Sequence, residues 1–174
     1  MKLQIKQYGF DGFRGSGISA DIISVIVKRL ETDNFDEIPK QNVLIDKLRQ
    51  AGWDKKVKIG EYCNHSIDGI HEKVGVCGYF GHQQAAFQKL LSFQSLFEDN
   101  MISECFYITQ SANTAELRHK LVSGARSQSN SFSGNGNRIS FESLVSAMNY
   151  YHRFITVPIT IIGIEIDDTQ IRLK

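Results

Sequence analysis

The sequence predicts a single α/β domain, and three observations carry that prediction. Between Lys55 and Gly81 the chain breaks into short extended pieces, Val57–Ile59, Ser66–Ile70 and Val74–Phe80, set apart by glycines as adjacent strands of one sheet would be. Residues Gln83 to Phe97 place Phe87, Leu90, Leu91, Gln94 and Phe97 at spacings of three and four, the pattern of a helix with one face packed on that sheet. Thr156–Ile164 is a continuous apolar run, as expected of a strand covered on both faces. A chain of 174 residues, 41% apolar and 22% charged, can bury one sizeable core and is too short for two large domains, so residues 1–174 are read as one domain.

The remaining elements follow in order. Residues 1–8 alternate like a short strand and lead into Gly9, Gly12, Gly15 and Gly17, a turn-rich connection. The run Gly12-Phe-Arg-Gly-Ser-Gly17 lacks both the Lys-Ser/Thr ending of a phosphate loop and the dinucleotide glycine order, which argues against a nucleotide site. Ser19 is placed to cap a buried helix that runs to Leu30, and the acids Glu31, Asp33, Asp36 and Glu37 form a solvated turn ending at Pro39. Val43, Leu44 and Leu48 mark a second helix that closes at Gly52-Trp53. Cys105–Ile108 reads as a strand, and Glu116–Val122 and Phe141–Tyr151 read as helices. Between those two helices, residues 124–138 are expected to form a mobile loop, because Ser127–Asn137 is too polar and glycine-rich to pack.

Bulk properties remove several function classes. Twenty Lys and Arg against nineteen Asp and Glu give a net charge of +1, so any affinity for nucleic acid must come from local patches. Three cysteines at no framework spacing and an amino terminus without an apolar signal segment point to a reducing cytoplasm. Ile155–Ile166 falls short of the roughly 20 apolar residues a membrane-spanning helix needs and is interrupted by Pro158 and Gly163.

The stretch richest in chemistry is Asp68 to His82. A carboxylate at the end of one strand, followed nine residues later by the middle of a neighbouring strand, is how metal-dependent nucleases bring two acids to one Mg²⁺; a turn-capping Asp before Gly69 has the same local pattern. Cys63, His65, His71, Cys77 and His82 lie within twenty residues, but their spacing matches no common zinc module. Cys77 between Val76 and Phe80 suits a small buried strand residue better than a thiol nucleophile. Two basic patches are candidates for phosphate contacts: Lys40, Lys47, Arg49, Lys55, Lys56 and Lys58 around the second helix, and Arg118, Lys120, Arg126 and Arg138 in a stretch without acids.

The segment Asp68-Gly-Ile-His-Glu-Lys-Val-Gly-Val-Cys77-Gly-Tyr79-Phe-Gly-His82 resembles restriction endonucleases of the BglII/BstYI type. These form a branch of the PD-(D/E)xK nucleases whose signature is Asp, eight residues, then Glu-x-Gln, often followed by Phe and a small residue. Asp68 matches the first acid and Phe80-Gly81-His82 the sequel, while Phe87–Leu96, Phe141-Glu-Ser-Leu and Val157–Ile164 resemble the family's later helices and core strand. The resemblance covers about residues 42–166 and implies a central mixed β-sheet flanked by helices. It also implies hydrolysis of phosphodiester bonds in duplex DNA with Mg²⁺ held through Asp68, and work as a homodimer. Cys77 and Tyr79 stand where the family has its Glu and Gln, so this chain is expected to be catalytically impaired: a thiol and a phenol are poor partners for a hard cation. Glu61 and Glu72 are the nearby carboxylates that would have to substitute. The rival expectation is a non-catalytic interaction or regulatory protein on the same fold.

Overall fold

A computed structural model describes residues 2–9, 41–50, 52–53, 56–60, 65–117 and 138–166. In chain order the elements are β1 (Lys2–Tyr8), α1 (Gln41–Gln50), β2 (Val57–Lys58), β3 (Ser66–Ile67), β4 (Gly69–His71), β5 (Val74–Gly78), α2 (Gln83–Glu98), β6 (Glu104–Gln110), α3 (Phe141–Tyr151) and β7 (Ile159–Glu165). A helical segment over 112–117 follows β6. The main sheet has the order β1-β7-β6-β5-β4. Its three central strands, β5, β6 and β7, are parallel, and β1 and β4 close the edges antiparallel. Parallel neighbours need a long crossover, which is why helices alternate with these strands.

Burial follows the strand period of two. Every residue of β5 and of β6 is buried. Cys105 and Tyr107 face a cluster that holds Leu90 and Phe93 of α2 with Leu144 and Met148 of α3. Phe106 and Ile108 face the opposite cluster, with Leu48 of α1, Trp53 and Phe80. Ile161 and Ile162 of β7 divide between the two clusters in the same way, as the unbroken apolar run predicts. The sheet is therefore sandwiched between α1 on one side and α2 with α3 on the other.

Side chains fix how these layers meet. Gln94 of α2 accepts hydrogen bonds from the backbone N–H groups of Thr156 (2.8 Å) and Val157 (3.0 Å) and donates to the Thr156 hydroxyl, pinning the approach to β7. Ser140 and Ser143 form a reciprocal capping box that starts α3. A Cβ on Gly163 would lie 2.6 Å from the Phe141 Cβ, so glycine there lets α3 approach β7 closely. The Tyr8 hydroxyl donates to the Val145 carbonyl (3.0 Å), tying β1 to α3.

Most predicted elements are present with shifted ends. The helix read to close at Gly52-Trp53 does so: Gly52 has φ of +91°, and the N–H groups of Gly52 and Trp53 bond back to the carbonyls of Arg49 and Leu48. Ser66–Ile70, read as one strand, is two, because the ladder breaks at Asp68 and β3 pairs with β2 in a separate two-stranded sheet. The helix expected from Glu116 already spans 112–117, where Ser111 caps it by accepting from the Thr114 N–H (3.1 Å). The helix expected over Ser19–Leu30 and the loop read over 124–138, apart from Arg138, lie outside the described residues. Among the described residues no helix is long and apolar enough to cross a membrane.

Glu72 and Lys73 join β4 to β5 as a two-residue hairpin turn, both with positive φ (47° and 65°). That left-handed conformation favours Asn and Gly, and it costs side chains such as Glu and Lys free energy. The double substitution Glu72→Asn/Lys73→Gly is expected to raise stability by about 1 kcal/mol, read as a higher denaturation midpoint with an unchanged slope.

Candidate functional site

In open α/β sheets a ligand meets the carboxyl ends of parallel strands, where chain reversals leave a crevice. Here those ends are Gly78, Gln110 and Glu165. Asp68 lies beside the first: its Oδ2 accepts the Gly78 N–H at 2.8 Å, and its own N–H donates to the Val76 carbonyl at 3.0 Å. The break between β3 and β4 is thus stitched to the end of β5, and the part-buried carboxylate is held at the sheet edge. Asp68 anchors the strand break by accepting from Gly78 and stands at the candidate site.

Cys77 pairs with Tyr107 across β5 and β6, and both are completely buried. Burial pushes the Cys77 thiol well above the ordinary thiol range, and the Asp68 carboxylate adds to this by its charge and by accepting a hydrogen bond, while Lys89 acts in the opposite direction. Lys89, part-buried on α2, donates to the Ser66 carbonyl from the same side. Tyr79 is half-buried; its hydroxyl accepts the His82 N–H at 3.1 Å and folds over Gly81, where a Cβ would collide with it. The Tyr107 hydroxyl and the Thr109 Oγ1 are buried without a hydrogen-bond partner, as is Gln110 Oε1. Such orphans are uncommon in native proteins. All three belong to the carboxyl half of β6, the strand alongside Cys77.

Along the same edge, His82 and Arg138 form an antiparallel bridge, extended by the Ile139 N–H to the Gly81 carbonyl (2.9 Å). Arg138 lines an open hollow of about 350 Å³ with Ala112, Ala115, Glu116 and Ser140. One wall of it is fastened where the Glu142 carboxylate accepts the Ala112 N–H (2.8 Å) at the start of the 112–117 segment. Of the second basic patch only Arg138 is described; Arg118, Lys120 and Arg126 lie outside the described residues. In the first patch, Arg49 is engaged in an exposed ion pair with Asp46 at 3.2 Å.

Among the described residues the donor set does not suit Mg²⁺. That ion takes oxygen ligands in a near-octahedral array, ordinarily with one or two carboxylates. Asp68 supplies one carboxylate, and its neighbours are a thiol, phenols and an ammonium group. Among the described residues no three His, Cys, Asp or Glu side chains converge to hold a metal, zinc included. His71 instead stacks on Trp53 with ring centroids 5.9 Å apart. Glu72 sits at the closed end of the β4–β5 hairpin, roughly 13 Å of strand away from Asp68 at the open end, so it is no substitute ligand. Glu61 and Cys63 lie outside the described residues.

Sequence reading missed Lys89 and Tyr107. Lys89 stands at helical spacing within the buried stripe of Ala86, Leu90 and Phe93 and is the sole cation of α2, which was its available signal. Tyr107 carried none, since an aromatic residue in a central strand is ordinarily core.

Burial also predicts chemistry at Cys77. In the folded protein Cys77 and Cys105 should resist alkylation, and raising the pH to about 8.5, where an ordinary thiol ionises, should not speed it because both thiols are pushed up by burial. Peptide mapping of alkylated protein checks this; native-state modification of Cys77 at the rate of a free thiol would contradict a closed site.

The profile of the family described as restriction endonuclease BglII/BglIII matches residues 18–164. Among solved structures, the crystal structure of restriction endonuclease BglII complexed with a DNA 16-mer matches with a TM-score of 0.68 at 15% identity. That match covers 96% of this chain and 78% of the other, a likeness of fold. Comparison with curated protein sequences gives no match. The family match spans most of the chain and takes in the β4–β5 hairpin, the parallel core and the site at its edge: the chain belongs to the BglII/BglIII restriction endonuclease family.

Proposed function

We propose that this protein is a duplex-DNA-binding restriction-endonuclease homologue whose phosphodiester hydrolysis is disabled at Cys77 and Tyr79. The observation that carries this reading is the state of Cys77: a completely buried thiol beside Asp68, at the position where the family signature has its second acid. Two-carboxylate sites use a metal to generate the nucleophile and to neutralise the developing phosphate charge. With one carboxylate and a thiol held protonated, neither task has its ligand set here. Tyr79 cannot replace an amide in orienting water, because its hydroxyl is turned onto the His82 N–H.

DNA binding rests on different residues and survives that loss. Arg138 and the adjacent His82 form a basic pair beside the hollow, suited to phosphate oxygens, and Arg118, Lys120 and Arg126 belong to the same acid-free stretch of sequence. The solved relative was crystallised with DNA, which supports the same partner for this chain. A two-fold homodimer is the matching assembly for a palindromic duplex. Leu91 of α2 and Tyr150, Tyr151 and Phe154 at the end of α3 are large exposed apolar side chains available for such an interface. Mg²⁺ belongs to active relatives and enters this chain's chemistry only when the acid is restored.

Plasmid cleavage with Mg²⁺ or Mn²⁺ tests the reading. The protein as it stands should not cut; Cys77→Glu/Tyr79→Gln should cut, and adding Asp68→Ala to that pair should abolish cutting. Cleavage by the unaltered chain would refute disablement. Separately, duplex affinity should fall steeply with salt, and Arg138→Ala should shrink the slope of log K against log salt by about one. Affinity independent of salt would favour an interaction protein that has left DNA behind.

A further inference from the structure

We infer that the Lys89 ammonium serves as the built-in cation of the Asp68 site, taking the electrostatic place of a divalent metal, so that this protein engages a DNA phosphate without Mg²⁺. The inference deepens the DNA-binding reading above and rests on it for the phosphate.

Two hydrogen bonds and one electrostatic effect place the charge. Lys89 reaches from α2 to donate to the carbonyl of Ser66, two residues before Asp68. From there its charge acts on Cys77, whose thiol also feels the carboxylate of Asp68. Asp68 is in turn fixed by the Gly78 N–H at 2.8 Å. Lys89 and Asp68 therefore both act on one buried thiol, although no direct ion pair joins them.

The consequence follows from charge counting. A site with two carboxylates carries two negative charges and repels a phosphodiester until a metal neutralises it. In this site Asp68 contributes one negative charge and Lys89 one positive charge, while Cys77, Tyr79 and Tyr107 contribute none. The sum is zero. A phosphate can approach without a metal, and a divalent cation would meet a single carboxylate with an ammonium nearby, which disfavours its uptake. Replacing the second acid with a thiol and keeping Lys89 converts a metal-requiring surface into a metal-independent one.

The test compares the full-length protein with Lys89→Gln and Lys89→Arg by two readouts. Gln keeps an N–H donor for the Ser66 carbonyl while removing the charge, and Arg keeps the charge; folding of each is checked by thermal denaturation. The first readout is fluorescence anisotropy with a mixed-sequence DNA duplex, in chelator and in Mg²⁺. The unaltered protein and Lys89→Arg should bind equally in the two media, within about twofold, whereas Lys89→Gln should lose about tenfold in chelator and recover in Mg²⁺. The second is Mn²⁺ binding to the DNA-free protein, followed by electron paramagnetic resonance. Lys89→Gln should gain Mn²⁺ affinity, and Asp68→Asn should remove that gain.

Duplex binding by the unaltered protein that strengthens about tenfold on adding Mg²⁺ would overturn the inference, as would Lys89→Gln indistinguishable from it in both readouts. Should no form bind duplex at low salt, the DNA reading fails and takes the phosphate role of Lys89 with it. The Mn²⁺ readout then still decides separately whether Lys89 stands in for a metal.

Discussion

The parallel pairing of β5, β6 and β7 is the constraint on which the rest of this structure depends. Parallel strands cannot be joined by tight turns, so α2 and the chain through α3 must cross over, and in doing so they cover one face while α1 covers the other. Burial on both faces makes β6 apolar enough to be the centre of the molecule. The same pairing brings three carboxyl ends to one edge. There the Asp68–Gly78 hydrogen bond joins the broken strand β3–β4 to the end of β5. Asp68, Cys77, Tyr79, His82 and Arg138 share a neighbourhood because the ladder leaves them there, although they are spread over seventy positions of sequence.

A thiol at Cys77 bears on packing as well as on chemistry. Two carboxylates side by side destabilise a fold unless a cation separates them, and a buried thiol removes that cost. Cys77 packs as a small apolar residue in the cluster of Ile67, Leu90 and Tyr107, while Asp68, Tyr79 and Lys89 near it are part-buried. The unpartnered hydroxyls of Tyr107 and Thr109 are a remaining irregularity in this packing. On the described residues this part of the sheet edge is core at Cys77, while His82 and Arg138 lie nearer the surface beside it.

Periodicity made the architecture legible. The helix over Phe141–Tyr151, the buried strand Thr156–Ile164 and the Gly52-Trp53 stop could be read because spacing, apolar continuity and a glycine cap are local properties of the chain. The break at Asp68 could not. Whether Ser66–Ile70 is one strand or two depends on which partner each half pairs with, and that is decided by β2 and β5 at a distance. The candidate site divides along the same line: the motif singles out Asp68, Cys77 and Tyr79, whereas Lys89 and Tyr107 enter only when α2 and β6 fold onto β5. Glu72, a plausible ligand by proximity in sequence, is excluded by the length of the hairpin that carries it.

The two edges of the main sheet differ in a way that bears on how the molecule avoids its own kind. β4 is three residues long and offers little to a new strand. β1 spans seven residues and, among the described residues, pairs with β7 along one side only, leaving a row of backbone donors and acceptors at that margin. Open margins of that length are templates for strand addition between molecules. Exposed Lys2 and Lys6 lie on β1, with Lys6 resting 5.9 Å from the centre of the Tyr8 ring. A second copy pairing in parallel register with β1 would set Lys2 and Lys6 against their own kind, a charge pattern that opposes edge-to-edge addition, whereas β4 offers only three residues.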